Sequence, residues 1–530
     1  MKRYHITAVA LILLTVVIFG GCKSKQAPVG SAADFITDFE SKIEFLHRKT
    51  AFFQWEYLTT GKSDSLEYYQ DLHKKLISQP ELPVRVKRFL IAEKDYKNKR
   101  KLELINRAVL KSTLENRLEL KSSTDSIIKY FTEYQYSFEG KNITFEKLDG
   151  IIGNESSRQR RKEAYFAQIA PATQMNESIT RLIRLRNQMA AKFGYKSYYD
   201  MMLAGTSLDK SELSNLVDEI EELTAEPYRQ LIDSLKTSLK IKQLGAWDLD
   251  FLFRRAISQS ASYFTGDKQM RMVRQTFAGL GLKLDDHPIY IKQISTDIKT
   301  SNSAILLPIA VPYDVRIAYT VRDGKDSFDE LVGTVGEGLY GCYIDKTDYL
   351  FSRAPSLCFE RGICGIFTRL TFEADWNRKY AGMPEPLVLS MKTWQRFERL
   401  FEIRLNLARL KFELEIYKDP FADMNSRYTS IYQKYTLLDI KPSLSSWAMD
   451  IKLVGEPVSL PEEIIGYCIE GQIRNYITEK YGTLLDNQRT REFMVQNVFR
   501  FGGKEDWRTL LERATGEEFT AKYILADIDN

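Results

Sequence analysis

Histidine, the side chain best suited to bind a metal or move a proton near neutral pH, occurs only four times in 530 residues, as His5, His47, His73 and His287. No two lie three or four positions apart, so no helical turn can offer a histidine pair to one metal ion. The five cysteines, Cys22, Cys342, Cys358, Cys364 and Cys468, contain no C-x-x-C pair, which argues against a cysteine zinc tetrad. Buried free thiols or one disulfide both fit, and spacing cannot assign a pairing. Glu337, Glu360, Glu373 and Asp375 could supply an acid–base pair of the kind that hydrolyses glycosidic bonds. With 71 acidic residues in the chain, however, several fall near any cleft by chance. Gly336-Glu337-Gly338-Leu339-Tyr340-Gly341 satisfies G-x-G-x-x-G, but dinucleotide binding also needs a preceding strand, a tight turn and a βαβ unit. Those glycines fall inside a helical pattern, so a dinucleotide is not expected.

The elements that position these residues are mostly helical. Glycine (28) and proline (15) are scarce, while 44% hydrophobic and 12% aromatic residues suffice for a large core and exclude a disordered chain. The net charge of +5 is spread among interspersed acids and bases, so nucleic acid is not an expected partner. Residues 34–130 carry a helical apolar period, with Phe35, Phe39, Ile43, Leu46 and Phe53. Asn176 is the expected cap of a helix with the stripe Ile179, Leu182, Leu185, Met189 and Phe193, closed by Gly194. Ser207 is the expected cap of a second helix over 208–243, and Met391 to Lys418 forms a third, long amphipathic run. Ala304 to Val321 is the clear β signal, a hairpin around Pro308 and Pro312. A helix starting at Asp326 or Ser327 then carries the glycine-rich run. No repeat, low-complexity tract or linker divides residues 34–530, which are expected to form a single domain.

At the N-terminus, Lys2 and Arg3 precede an apolar stretch from Ile6 to Phe19 that falls short of the ~20 residues needed to span a bilayer. Phe19-Gly20-Gly21-Cys22 resembles the lipobox of bacterial lipoproteins. The resemblance implies a signal peptide over 1–21, acylation of Cys22 and a flexible tether over 22–33. It also implies a lipid anchor in a Gram-negative cell envelope. Lys23 stands where inner-membrane lipoproteins carry a retaining aspartate, so the outer membrane is favoured.

Several segments together resemble the angiotensin-converting-enzyme family of peptidyl dipeptidases, zinc peptidases of the gluzincin class. Asp314-Val315-Arg316-Ile317, Phe328-Asp329-Glu330-Leu331 and the Gly333 segment resemble its metal-centre region. Leu185 to Ala190 with Phe193-Gly194-Tyr195 and Tyr198-Tyr199 resemble an upstream helix, and Tyr428 to Tyr435 a later one. Phe501-Gly502-Gly503-Lys504-Glu505-Asp506-Trp507 and Ala514-Thr515-Gly516 resemble its C-terminal end. The implied fold is mainly α, two lobes around a deep central cleft, with a small antiparallel sheet near the former zinc helix.

That family works through H-E-x-x-H, two histidines on one helical face binding zinc while the glutamate between them activates water. Placed without a gap, the motif falls on Gly333-Thr334-Val335-Gly336-Glu337, and the third ligand falls on Arg361. Glycine has no ligating side chain, threonine is no general base near neutral pH, and an arginine repels a cation. The resemblance therefore implies a lost zinc site, no cofactor and no catalytic residues. Glu337 and Arg361 are expected either to pair across the old metal position or to be solvated in an open cleft. The family's oxyanion-stabilising positions fall on Leu453 and Glu463, neither of which can donate to an oxyanion. A peptide-pairing edge strand falls on Ala304-Ile305-Leu306-Leu307 and needs no catalytic group. The expectation is a non-catalytic, peptidase-like envelope lipoprotein that binds a peptide or other extended ligand through Ala304–Leu307, Glu337, Glu360 and Arg361. The alternatives are an active hydrolase, zinc-independent or with a rebuilt metal site, and a surface-anchored interaction or assembly protein.

Overall fold

The computed structural model describes residues 30–526 apart from 205, 207, 299 and 301. The expected signal peptide, Cys22, most of the tether and the Ser207 cap lie outside the described residues. The chain is mainly helical, with one two-stranded and one three-stranded sheet among the described residues. The helices that frame the site are α1 (Ala32–Thr60), α2 (Ala170–Ala191), α3 (Lys210–Leu239), α4 (Lys325–Tyr343), α5 (Leu357–Leu370), α6 (Glu385–Lys418) and α7 (Leu460–Tyr481). The strands are β1 (Tyr136–Phe138), β2 (Lys141–Ile143), β3 (Ile289–Ile294), β4 (Ala304–Ala310) and β5 (Asp314–Thr320).

Local chemistry sets the helix ends. Ser31 and Asp34 close a capping box at the start of α1, with the Ser31 Oγ accepting from the Asp34 N–H at 3.1 Å. Two expected starts move. Asn176 lies inside α2, which begins about two turns earlier at Ala170 with Pro171 in its first turn, where a missing N–H costs nothing. Helix α4 begins at Lys325, not after Asp326 or Ser327. Gly324 at φ 117° turns the chain out of β5 into the helix, and Asp326 sits in the first turn. Helix α3 is capped by Asp209, whose carboxylate accepts from the Ser211 and Glu212 N–H groups at 2.8 Å. Gly194, at φ 82°, follows α2 as its sequence position suggests.

The expected antiparallel sheet is mixed. β4 and β5 form the antiparallel hairpin, but β3 joins the other side of β5 in parallel, giving the order β3-β5-β4. Residues 295–303 carry the chain from β3 past the end of β5 to the start of β4, so β3 runs in the same direction as β5. Helix α4 covers one face of this sheet and α1 the other: Leu306 and Ile317 approach Gly338, while Ile305 and Leu307 pack with Trp55 and Leu58. One large core cluster then runs from α2 through α4, α5, α6 and α7. At ~1.5 Å per residue, the 34 residues of α6 extend about 50 Å, long enough to back the whole site.

Candidate functional site at the α4–α5–α7 seam

Helices α4 and α5 meet at glycines. A Cβ on Gly333 would lie 2.6 Å from both Cys364 Sγ and Thr368 Oγ1, and one on Gly336 would enter the ring of Phe367. Helices α5 and α7 meet in the same way: a Cβ on Gly362 would lie 2.8 Å from Ile469, and one on Gly466 would lie 3.0 Å from Arg361 Cβ. Phe367 and Ile469 are fully buried, so neither neighbour has room to withdraw.

This packing decides which polar groups face each other. Glu337 on α4 is hydrogen-bonded to Glu360 on α5, and its carboxyl is held protonated well above the usual carboxylate range. Burial is the main cause, the hydrogen bond and negative charge of Glu360 add to it, and the positive charge of Arg361 opposes it. The expected Glu337–Arg361 ion pair is therefore replaced. Arg361 is turned towards α7, where its guanidinium lies 4.0 Å from Glu463. Burial pushes the neighbouring Cys364 thiol up to about 12. Tyr340, one turn along α4, is buried with no hydrogen-bond partner on its hydroxyl.

From Glu463 the seam continues as a polar ladder into α6. Lys452 also reaches Glu463, at 3.4 Å. The Tyr467 hydroxyl donates to Glu402 at 2.8 Å and accepts from Asn406 Nδ2 at 2.9 Å. Arg369 pairs with Glu402 at 2.9 Å, and Arg399 with Glu470 at 3.0 Å. Arg399 and Glu470 are both buried, which a charge tolerates only when paired.

The other sequence-derived positions fall as follows. Thr334 and Glu337 share the partly exposed face of α4, whereas Gly333 and Gly336 form its buried contact with α5. Leu453 is a core residue whose carbonyl accepts from Arg186 at 2.9 Å. Glu373 and Asp375 are not with Glu337 and Glu360. They sit beyond the C-terminus of α5, paired with Arg474 and Arg378 at 2.7 and 2.6 Å. Ala304–Leu307 lies on β4, an outer strand of its sheet. The Thr320 N–H donates to the Ser303 carbonyl, which puts residues 303, 305 and 307 in bonded positions and turns the backbone of Ala304 and Leu306 outward. Pro308, the next outward position, has no N–H to leave unpaired. The four cysteines of the described chain are free thiols, which settles the choice left open by their spacing.

Sequence patterning did not bring out Arg399, Glu402, Asn406 and Tyr467. The first three recur on one face of α6 at i, i+3 and i+7, a charged stripe within an otherwise apolar run. That interruption was the available signal. Among the described residues, no three His, Cys, Asp or Glu side chains gather as a metal site, and no helix is long and apolar enough to cross a membrane. The chain matches no known protein-family model, and no curated protein matches it in sequence.

Proposed function

We propose that the chain is a zinc-free relative of the peptidyl dipeptidases, built as two lobes around a cleft. In this reading it holds an extended peptide against β4 without cleaving it, and Cys22 carries the lipid that tethers it to the outer membrane. The observation that carries the reading is the α4–α5 contact. Of the two positions that would need histidines, Gly333 is pressed against Cys364 and Thr368, and Glu337 is bound to a second acid, Glu360, across the two helices. A histidine at Gly333 would have to displace Cys364 and Thr368 before it could reach a metal. The outward backbone of Ala304 and Leu306 supplies what strand addition requires, and specificity would come from side chains along the seam.

The test uses residues 31–530. After incubation with zinc and removal of the excess, metal content is expected below about a tenth of an equivalent. A library of extended peptides is expected to be retained intact, and Ala304→Pro, which removes one outward N–H at an edge position, is expected to release it. Stoichiometric tightly held zinc, or retention unchanged in Ala304→Pro, would overturn the reading.

A second reading has one observation in its favour. Two facing carboxyls with one held protonated are the arrangement that divides acid and base roles in hydrolases. It requires turnover of the retained ligand that disappears in Glu360→Gln.

A further inference from the structure

A cavity of about 350 Å³ opens where β4 ends. Its size is that of a small-ligand site. Pro308–Val311 form one wall, a face of α1 with Glu40, Glu44 and Arg48 the second, and the segment from Thr347 to Arg353 the third. The outward row of β4, Ala304, Leu306 and Pro308, leads to it, and the register shift between Pro308 and Ala310 ends regular pairing there. At ~3.3 Å per residue, the row from Ala304 to Pro308 covers about 13 Å, the span of a short peptide.

The acids of these walls are already paired. Glu40 meets Lys101 at 2.5 Å, Glu44 meets Arg48 at 2.6 Å, and Asp348 meets Lys97 and Lys101 at 2.7 and 2.9 Å. Arg353 differs. Among the described residues no carboxylate pairs with its guanidinium, and its Nη2 is held by two uncharged groups instead. It donates to the Tyr349 hydroxyl at 2.7 Å and to His47 Nδ1 at 3.0 Å, and Tyr349 is bonded to the same His47 nitrogen. The His47 ring packs 4.5 Å from that of His73. Burial, with the positive charge of Arg353 adding to it, lowers the His47 pKa to about 2, so the imidazole stays neutral. Nε and Nη1 of Arg353 have no partner among the described residues. The guanidinium is thus fixed in place without being neutralised.

We propose that this cavity closes the peptide groove and takes the carboxylate of the ligand's C-terminal residue on the free N–H groups of Arg353. The inference rests on the reading of β4 as the pairing edge and adds a direction to it. β4 runs towards the cavity, so a peptide lying parallel to β4 brings its carboxyl end there. An antiparallel peptide would bring an ammonium group to walls whose acids are taken. Capture of a terminal carboxylate by fixed, charged donors gives a peptide groove a defined end.

The experiment compares two randomised, N-acetylated hexapeptide libraries on immobilised residues 31–530, one ending in a free carboxylate and one in a carboxamide. The parent chain is expected to retain the carboxylate library at least about tenfold more strongly. In Arg353→Gln, checked for a thermal melt matching the parent's, the preference is expected to vanish while the carboxamide library is held as before. Arg353→Lys, which keeps the charge on a different donor geometry, is expected to restore part of the preference. Ala304→Pro is expected to weaken both libraries alike, because it acts on the strand and not on its end. Equal retention of the two libraries by the parent would overturn the inference, and loss of both in Ala304→Pro would then leave the strand reading standing. Retention of neither library would overturn both readings. A carboxylate preference that survives Arg353→Gln would overturn the assignment to this cavity.

Discussion

Glu337 on α4 is hydrogen-bonded to Glu360 on α5 and holds its proton in a seam closed on both sides by helix contacts at glycine. The pairing follows from rotation. The approach of α5 to α7 at Gly362 and Gly466 fixes the turn of α5 about its axis, so Arg361 faces Glu463 and the preceding residue faces Glu337.

The proton held by Glu337 makes stability depend on pH. Because the folded Glu337 holds its proton above the ordinary value near 4.3, its contribution is complete below that value and is lost as pH rises towards the folded one. Glu337→Gln keeps a neutral side chain at all pH values. Between pH 5 and pH 8 the variant is expected to lose less stability than the parent, by up to about 1.4 kcal/mol per pH unit for one proton. Urea midpoints at the two pH values check this. Glu398 and Glu413, both raised to about 7 by burial, contribute equally to both proteins and cancel in the comparison.

The helix contact predicts opposite signs for two glycines on α4. Gly336→Ala drives a methyl group into the buried Phe367 ring and is expected to destabilise by about 1–3 kcal/mol. Gly341→Ala meets nothing closer than 3.7 Å and is expected to be neutral or to stabilise by up to ~1 kcal/mol through helix propensity. Denaturant unfolding of the pair reads the difference directly. Equal effects at both positions would mean that α4 and α5 are not in contact at Gly336.

The four thiols of residues 31–530 are expected to be slow in the folded protein. Burial pushes Cys342 and Cys364 up to about 12, and Cys358 and Cys468 higher still. At pH 8 their reaction with a disulfide reagent is expected to be slower than that of a free thiol by on the order of 10³-fold or more. After unfolding without reductant, all four are expected to react, whereas a disulfide would leave two.

The helical body was legible because its apolar periods are long. Met391 to Lys418 predicted most of α6, and the Ala304–Val321 hairpin appears as β4 and β5. β3 was not legible: it is six residues long with Lys292 and Gln293 exposed, so it shows neither strict alternation nor a buried run. Of the site, Glu337, Glu360 and Arg361 come together as neighbours, but their partners do not follow from spacing. One residue on a helix is a turn of about 100°, and that turn is fixed by contacts at Gly362 and Gly466 that no linear pattern marks. The basic members of the polar ladder were illegible for a similar reason. Arg369, Arg399 and Arg474 are spread over more than a hundred positions, and each alone looks like an ordinary surface charge.

The contact at Gly333 also makes substitution history directional. A single histidine there would first cost the fold its fit against Cys364 and Thr368, with no second ligand on α4 to reward it, because Glu337 is itself held by Glu360. Rebuilding a two-histidine face would need Gly333, Glu337 and the side chains packed against them to change together. Drift one residue at a time can deepen such a helix contact far more readily than it can reopen it.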